Sequence, residues 1–348
     1  MNTFFSKIKT KKVLGTITIL ILISFFIPTP YYLFQPGSVE ELASKVTVEG
    51  GEKKSDGNLY LTTVLSMKAS NIYYLAYGLL APHTDMRSIV EVKGDFTDKE
   101  YDRMLEHMMT SSQQNALVAG LRAAGEEVQV KPNGLFVSTV LGTSDAKGKI
   151  EVGDIIRKVD GEPINQMEDF LAFLGDKKAE EKVTLTFTRD GVEKSADIAL
   201  IPLQNSENKV GVGIVLEDQF LIETARSVKI NAADIGGPSA GLMFSLEVYN
   251  QLKIGDLTKG YEIAGTGTID MVGNVGQIGG IREKITAVDK AGIDVFFCPA
   301  DVHITDTNEK DVLDEAKKNG YEVKIVPVKT IQEAINYLKE LPPKQSVA

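Results

Sequence analysis

The chain has 348 residues, 43% of them hydrophobic, which allows about two domains with real cores plus an appendage. Its 48 acidic residues outnumber 38 basic ones for a net charge of −10, which argues against nucleic acid or an anionic surface as the main partner. One cysteine and three scattered histidines exclude an intramolecular disulfide and leave no metal-ligand pattern, so neither a metal nor another cofactor is expected.

Taken in order, the chain opens with Lys7, Lys9, Lys11 and Lys12, followed by an uncharged run from Val13 to Phe34. As a helix that run would be ~33 Å long, enough for a bilayer core of ~30 Å. Pro28 and Pro30 would end or kink it, and Tyr31, Tyr32 and Phe34 would form an interfacial aromatic belt. No small-x-small cleavage site follows. The expectation is a single-pass cell-membrane anchor, with a basic cytoplasmic tail (1–12), a transmembrane helix (13–34) and the rest of a bacterial chain outside.

Asp56-Gly57 marks a turn before a strand from Leu59 to Leu65, and Ile72 to Leu80 reads as helical. Thr97 and Glu100 form a capping box for a helix from Asp98 to about Ala124, along which Tyr101, Met104, Leu105 and Met108 recur at helical spacing. Strands follow at Leu135 to Leu141, Ile155 to Val159, Val183 to Arg189 and Val192 to Leu200, with turns at Asp160-Gly161 and Asp190-Gly191 and a short helix from Met167 to Leu174. Beyond a linker at Gln204 to Asn208, apolar runs lead to a serine loop. The tail then alternates strand Val295 to Cys298, helix Asp311 to Asn319, strand Val323 to Val326 and helix Ile331 to Leu341. Cys298, within the apolar run from Val295, reads as an inert core residue.

The serine loop is Ile235-Gly236-Gly237-Pro238-Ser239-Ala240-Gly241, and downstream lies Gln277-Ile278-Gly279-Gly280-Ile281-Arg282-Glu283-Lys284. Ser239 stands among small residues where an extended run gives way to an apolar helix, so its hydroxyl is presented at a helix N-terminus whose free N–H groups suit an oxyanion. Lys284, in the first turn of another helix, opposes the helix dipole and should lose its proton readily when buried. Taken alone, the loop could be a strand-to-helix turn with Ser239 as cap, and Lys284 a surface lysine.

Together the two stretches resemble the proteolytic domain of the Lon family, whose Ser-Lys dyad would fall on Ser239 and Lys284. Ala264-Gly265-Thr266-Gly267-Thr268-Ile269-Asp270 resembles the strand and turn that in Lon carries a threonine orienting the lysine, here Thr266, and Gly237 and Pro238 would support the loop. Many Lon proteins have an acidic residue three positions before the serine. Here that position is Gly236, with Asp234 two positions earlier, leaving open whether Asp234 completes the site.

Gly-Asp-Ile-Ile-Arg-Lys-Val-Asp-Gly-Glu-Pro-Ile, from Gly153, resembles a bacterial PDZ domain, a module that adds a peptide as a strand to its sheet edge. By position its docking residues would be Gly134, Leu135, Phe136 and Val137. The two resemblances imply an α+β chain: a Lon-type domain of α/β layers, in segments 45–125 and 205–342, interrupted by a PDZ domain at 126–204. No Gly-x-x-x-x-Gly-Lys-Ser/Thr loop occurs in the sequence, so no ATP is expected as a partner. The implied function is an ATP-independent serine endopeptidase acting on peptides or flexible protein segments, secreted signalling peptides and membrane-protein tails among them. The alternative is a catalytically inactive, membrane-tethered scaffold that binds peptides through its PDZ domain.

Overall fold

A computed structural model describes residues 2–52, 56–203, 209–232 and 235–345, with side chains from residue 13 onward. The chain begins with α1 (Asn2–Ser24), then β1 (Tyr31–Glu41), β2 (Val46–Val48), β3 (Asn58–Lys68), α2 (Ile72–Leu80), β4 (Asp85–Ser88), α3 (Ile89–Lys93) and α4 (Asp98–Ala123). Asn71 caps α2, accepting from the Tyr73 and Tyr74 N–H groups, and Thr97 and Glu100 close the capping box of α4.

A β-domain follows: β5 (Val128–Val140), β6 (Ile155–Val159), β7 (Glu162–Pro163), α5 (Met167–Leu174), β8 (Lys182–Arg189), β9 (Val192–Ala199), β10 (Ile201–Pro202), β11 (Val210–Gly211) and β12 (Ile214–Thr224). The final segment comprises β13 (Val228–Ile230), α6 (Gly241–Leu252), β14 (Glu262–Gly265), β15 (Thr268–Ile269), β16 (Val275–Gly276), α7 (Ile281–Lys290), β17 (Val295–Pro299), α8 (Asn308–Asn319), β18 (Lys324–Val328) and α9 (Ile331–Glu340).

The central sheet draws on both ends of the chain, in the order β18-β17-β14-β3-β1-β4. Strands β18, β17, β14 and β3 are parallel, and β1 is antiparallel to β3. Side chains alternate across this sheet as the period of two requires. Leu59, Leu61, Ile263 and Phe297 join a core with α4, α6 and α9, whereas Ala264, Phe296 and Cys298 pack with α7 and α8 on the opposite face. Cys298 is fully enclosed and burial pushes its thiol up to about 12, so it is an inert core residue. The β-domain, with sheet order β12-β5-β6-β8-β9, stands between the two halves of the central sheet in sequence and has its own core around Leu135, Ile156, Leu185 and Phe187.

The structure corrects the membrane reading. Among the described residues no helix is long and apolar enough to cross a membrane. α1 ends at Ser24, so its uncharged part, residues 13–24, spans only about 18 Å at ~1.5 Å per residue, against a bilayer core of ~30 Å. The expected helix over 13–34 fails because Tyr31 to Phe34 belong to β1, paired between β3 and β4, with Leu33 fully buried. The supposed aromatic belt is part of a sheet. The chain is α+β without the expected transmembrane helix among its described residues, which contradicts the expected single-pass, outward-facing placement.

Candidate active site

Strand β3 is longer than its parallel neighbour. β14 pairs with it as far as Gly265 opposite Leu61, and from Thr62 to Lys68 β3 pairs only with β1. The place vacated beyond the end of β14 is where the two helical faces of the sheet meet. The loop before α6 arrives from one face and the first turn of α7 from the other. Gly280 makes the second approach possible: it caps α7 in the left-handed region (φ 73°), and a Cβ there would lie 2.7 Å from the Val64 side chain.

At this junction Lys284 Nζ lies 3.0 Å from Ser239 Oγ and donates to the Thr62 carbonyl at 2.7 Å. Lys284 is 2% exposed, no acidic side chain among the described residues pairs with it, and burial pulls its pKa down to about 7. An amine that sheds its proton this readily, beside a hydroxyl, has the chemistry a general base needs. The neighbouring Glu283, also buried, has its carboxyl raised, first by desolvation.

Thr266 is completely buried beside the pair. Its hydroxyl donates to the Ser239 carbonyl at 3.0 Å, not to Lys284, and the Gly267 N–H donates to the same carbonyl at 2.8 Å. The lysine is instead aimed by a backbone group, the Thr62 carbonyl, which no side-chain motif could have announced. Gly237 and Pro238 lie in the loop, Gly237 at φ 84°. Asp234 falls outside the described residues, as does the linker Gln204 to Asn208.

Ser239 and Lys284 open into a cleft of about 930 Å³. Phe34, Val64, Leu65, Tyr101 and Leu105 give it apolar walls, and Glu40 and Arg87 bring one charge of each sign. Such a groove suits an extended peptide with apolar side chains.

Across α4 from the cleft, the β-domain leans on the body built around the central sheet. His107 stacks on Phe136 with ring centroids 3.5 Å apart, and its Nε2 is 3.2 Å from Glu217, whose carboxyl is held below the usual range first by that bond. Arg103 donates to Glu151 at 3.0 Å and to the Val152 carbonyl at 3.1 Å.

The expected docking residues need correction. Gly134, Leu135, Phe136 and Val137 lie on β5, an interior strand: Leu135 is paired with Ile156 of β6 on one side and Asp218 of β12 on the other. A strand already paired on both sides cannot accept a third. Among the described residues the sheet ends at β12, and the Met167 N–H at the start of α5 reaches Asp218 Oδ1 at 2.8 Å, so β12 is the edge that runs beside the helix.

Comparison with known proteins gives this geometry a context. Residues 177–340 match the C-terminal proteolytic domain of Lon protease (S16). Residues 123–200 match a PDZ domain, so the chain is Lon-like and PDZ-containing, and the pairing supports a serine peptidase. Similar curated proteins include the Lon proteases of Trichlorobacter lovleyi, 29% identical over 235 residues, and Metamycoplasma arthritidis, 30% identical over 154. These alignments cover 64% and 44% of this chain but only 27% and 17% of those much longer proteins. The PDZ domain of an SdrC-like protein from Listeria monocytogenes, 25% identical, covers 24% of this chain and 87% of its own, with a TM-score of 0.23.

Proposed function

We propose that the chain is a serine endopeptidase with a Ser239–Lys284 dyad that cleaves peptides or already flexible protein segments without ATP. The observation that carries this reading is the buried Lys284 amine 3.0 Å from the Ser239 hydroxyl, with no carboxylate beside it among the described residues. Neutral Lys284 takes the hydroxyl proton as Ser239 Oγ attacks the scissile carbonyl carbon. Backbone N–H groups of the loop hold the oxyanion, and the proton passes to the leaving amine as the C–N bond breaks. Water then attacks the acyl-enzyme, giving a proton to Lys284 that returns to Ser239 as the acid leaves.

Thr266 holds the loop through the Ser239 carbonyl, and Thr62 holds the lysine. The cleft beside Ser239 takes an extended chain, and the substrates of this reading arrive already unfolded. The PDZ domain docks a peptide strand on the outer edge of β12, around Ile214 to Leu216, where those two apolar residues already pack against the domain core.

The test incubates the protein with a casein digest and with a stably folded domain, without ATP, and follows both by mass spectrometry. Cleavage of the peptides alone, lost in Ser239→Ala and in Lys284→Ala, is expected. Peptide binding without cleavage, and with no serine-reactive probe on Ser239, would replace the enzyme with a binding scaffold.

A further inference from the structure

Ser112 lies in the middle of α4, 3% exposed, with no part in the dyad. A serine inside a helix ordinarily returns its hydroxyl to a carbonyl in the preceding turn of its own helix. Ser112 Oγ instead donates at 2.9 Å to the carbonyl of Pro238, the residue just before the nucleophile. Gly241 makes room for this, since a Cβ there would stand 3.0 Å from Ser112 Oγ.

In a trans peptide the carbonyl and the following N–H point in opposite directions, and the Pro238–Ser239 bond is trans. A Pro238 carbonyl fixed toward α4 therefore turns the Ser239 N–H away from α4. Among the described residues no hydrogen bond occupies that N–H. The next carbonyl along, that of Ser239, is fixed from elsewhere by Gly267 and Thr266. The Pro238 carbonyl also accepts from the Gly241 N–H at a longer 3.4 Å, so two successive peptide planes around the nucleophile are each held by a donor outside the loop, the first with a weaker local bond beside it.

We infer that Ser112 is a positioning residue for peptide hydrolysis: its hydroxyl pins the Pro238–Ser239 peptide plane so that the Ser239 N–H serves as an oxyanion donor. This rests on the dyad reading above. Ser112 touches neither substrate nor proton, and its effect is confined to the tetrahedral stage, where the oxyanion exists.

The experiment compares wild type, Ser239→Ala, Ser112→Ala, Ser112→Thr and Ser112→Cys on one fluorogenic peptide, with affinity for a peptide boronic acid, which forms a tetrahedral adduct on the serine, as a second readout. Ser112→Ala should lose about 10- to 100-fold in kcat with KM within about threefold, and a similar factor in boronate affinity. Ser112→Thr, which keeps the hydroxyl, should recover most of both. Should Ser112→Ala not fold, Ser112→Cys keeps the volume with a weaker donor and should fall between. Wild-type kcat and boronate affinity in Ser112→Ala or Ser112→Cys, beside an inactive Ser239→Ala, overturn this inference alone. A Ser239→Ala protein that cleaves at the wild-type rate overturns the dyad reading and this inference with it.

Discussion

The two flanks of helix α4 treat charge in opposite ways. On the cleft side, Lys284 is enclosed, and its partners among the described residues are a hydroxyl and a carbonyl, with no anion. On the β-domain side, Arg103 and His107 each face a carboxylate, and those carboxylates, Glu151 and Glu217, are about half exposed. A lone buried amine gives up its proton readily, whereas paired, partly wet side chains hold two bodies together weakly.

Removing the enclosed amine breaks the comparison most severely. Ser239→Ala and Lys284→Ala should each lower turnover at least ~1,000-fold, and the double variant should be no worse than either, because the pair acts as one unit. Steady-state kinetics on a short peptide reads this.

The pH response sharpens the same side. Activity should rise with pH through about 7 as Lys284 becomes neutral. Stability should move in the same direction: the unfolded lysine keeps its proton up to ~10.4, so between about 7 and that value the unfolded chain binds more protons and folding gains as pH rises. Below about 7 both states are protonated and the burial cost is fully present. Lys284→Met should therefore melt above wild type at pH 6, with the gap shrinking toward pH 10, as calorimetry can follow.

Thr266→Val should cost less, about 10-fold in kcat, because the Gly267 N–H still holds the Ser239 carbonyl. The smallest effect belongs to the other flank. Arg103→Ala should destabilise by about 1 kcal/mol or less, and the loss should fade in high salt, as expected for a partly exposed ion pair. A salt-independent loss in chemical denaturation would mean that the junction is held by the Met104–Phe136–Val152 contact instead.

Much of this was legible before any coordinates. Small residues around Ser239 and glycines before Lys284 are local requirements of a helix entry and a tight approach, so they survive in the sequence as motifs. The partners of Thr266 and Lys284 are backbone carbonyls, and a carbonyl belongs to every residue alike, so composition could not name Thr62 or the Ser239 oxygen. The misread N-terminus had a different cause. Val13 to Phe34 lacks charge for two reasons, an apolar helix that stops at Ser24 and a strand whose Leu33 is buried in the central sheet, and hydropathy does not distinguish them. Likewise, alternation marks Leu135 to Val137 as strand but cannot say that both edges are taken, since one partner, β12, lies some eighty residues further along.

The most direct measurement is the rate at which a fluorophosphonate probe labels Ser239, followed by peptide mapping from pH 5 to 9. Labelling that rises through a midpoint near 7 in wild type and disappears in Lys284→Met is the predicted result. Labelling of Ser239 that proceeds equally well in Lys284→Met, or that shows no midpoint in this range, would contradict a lysine base.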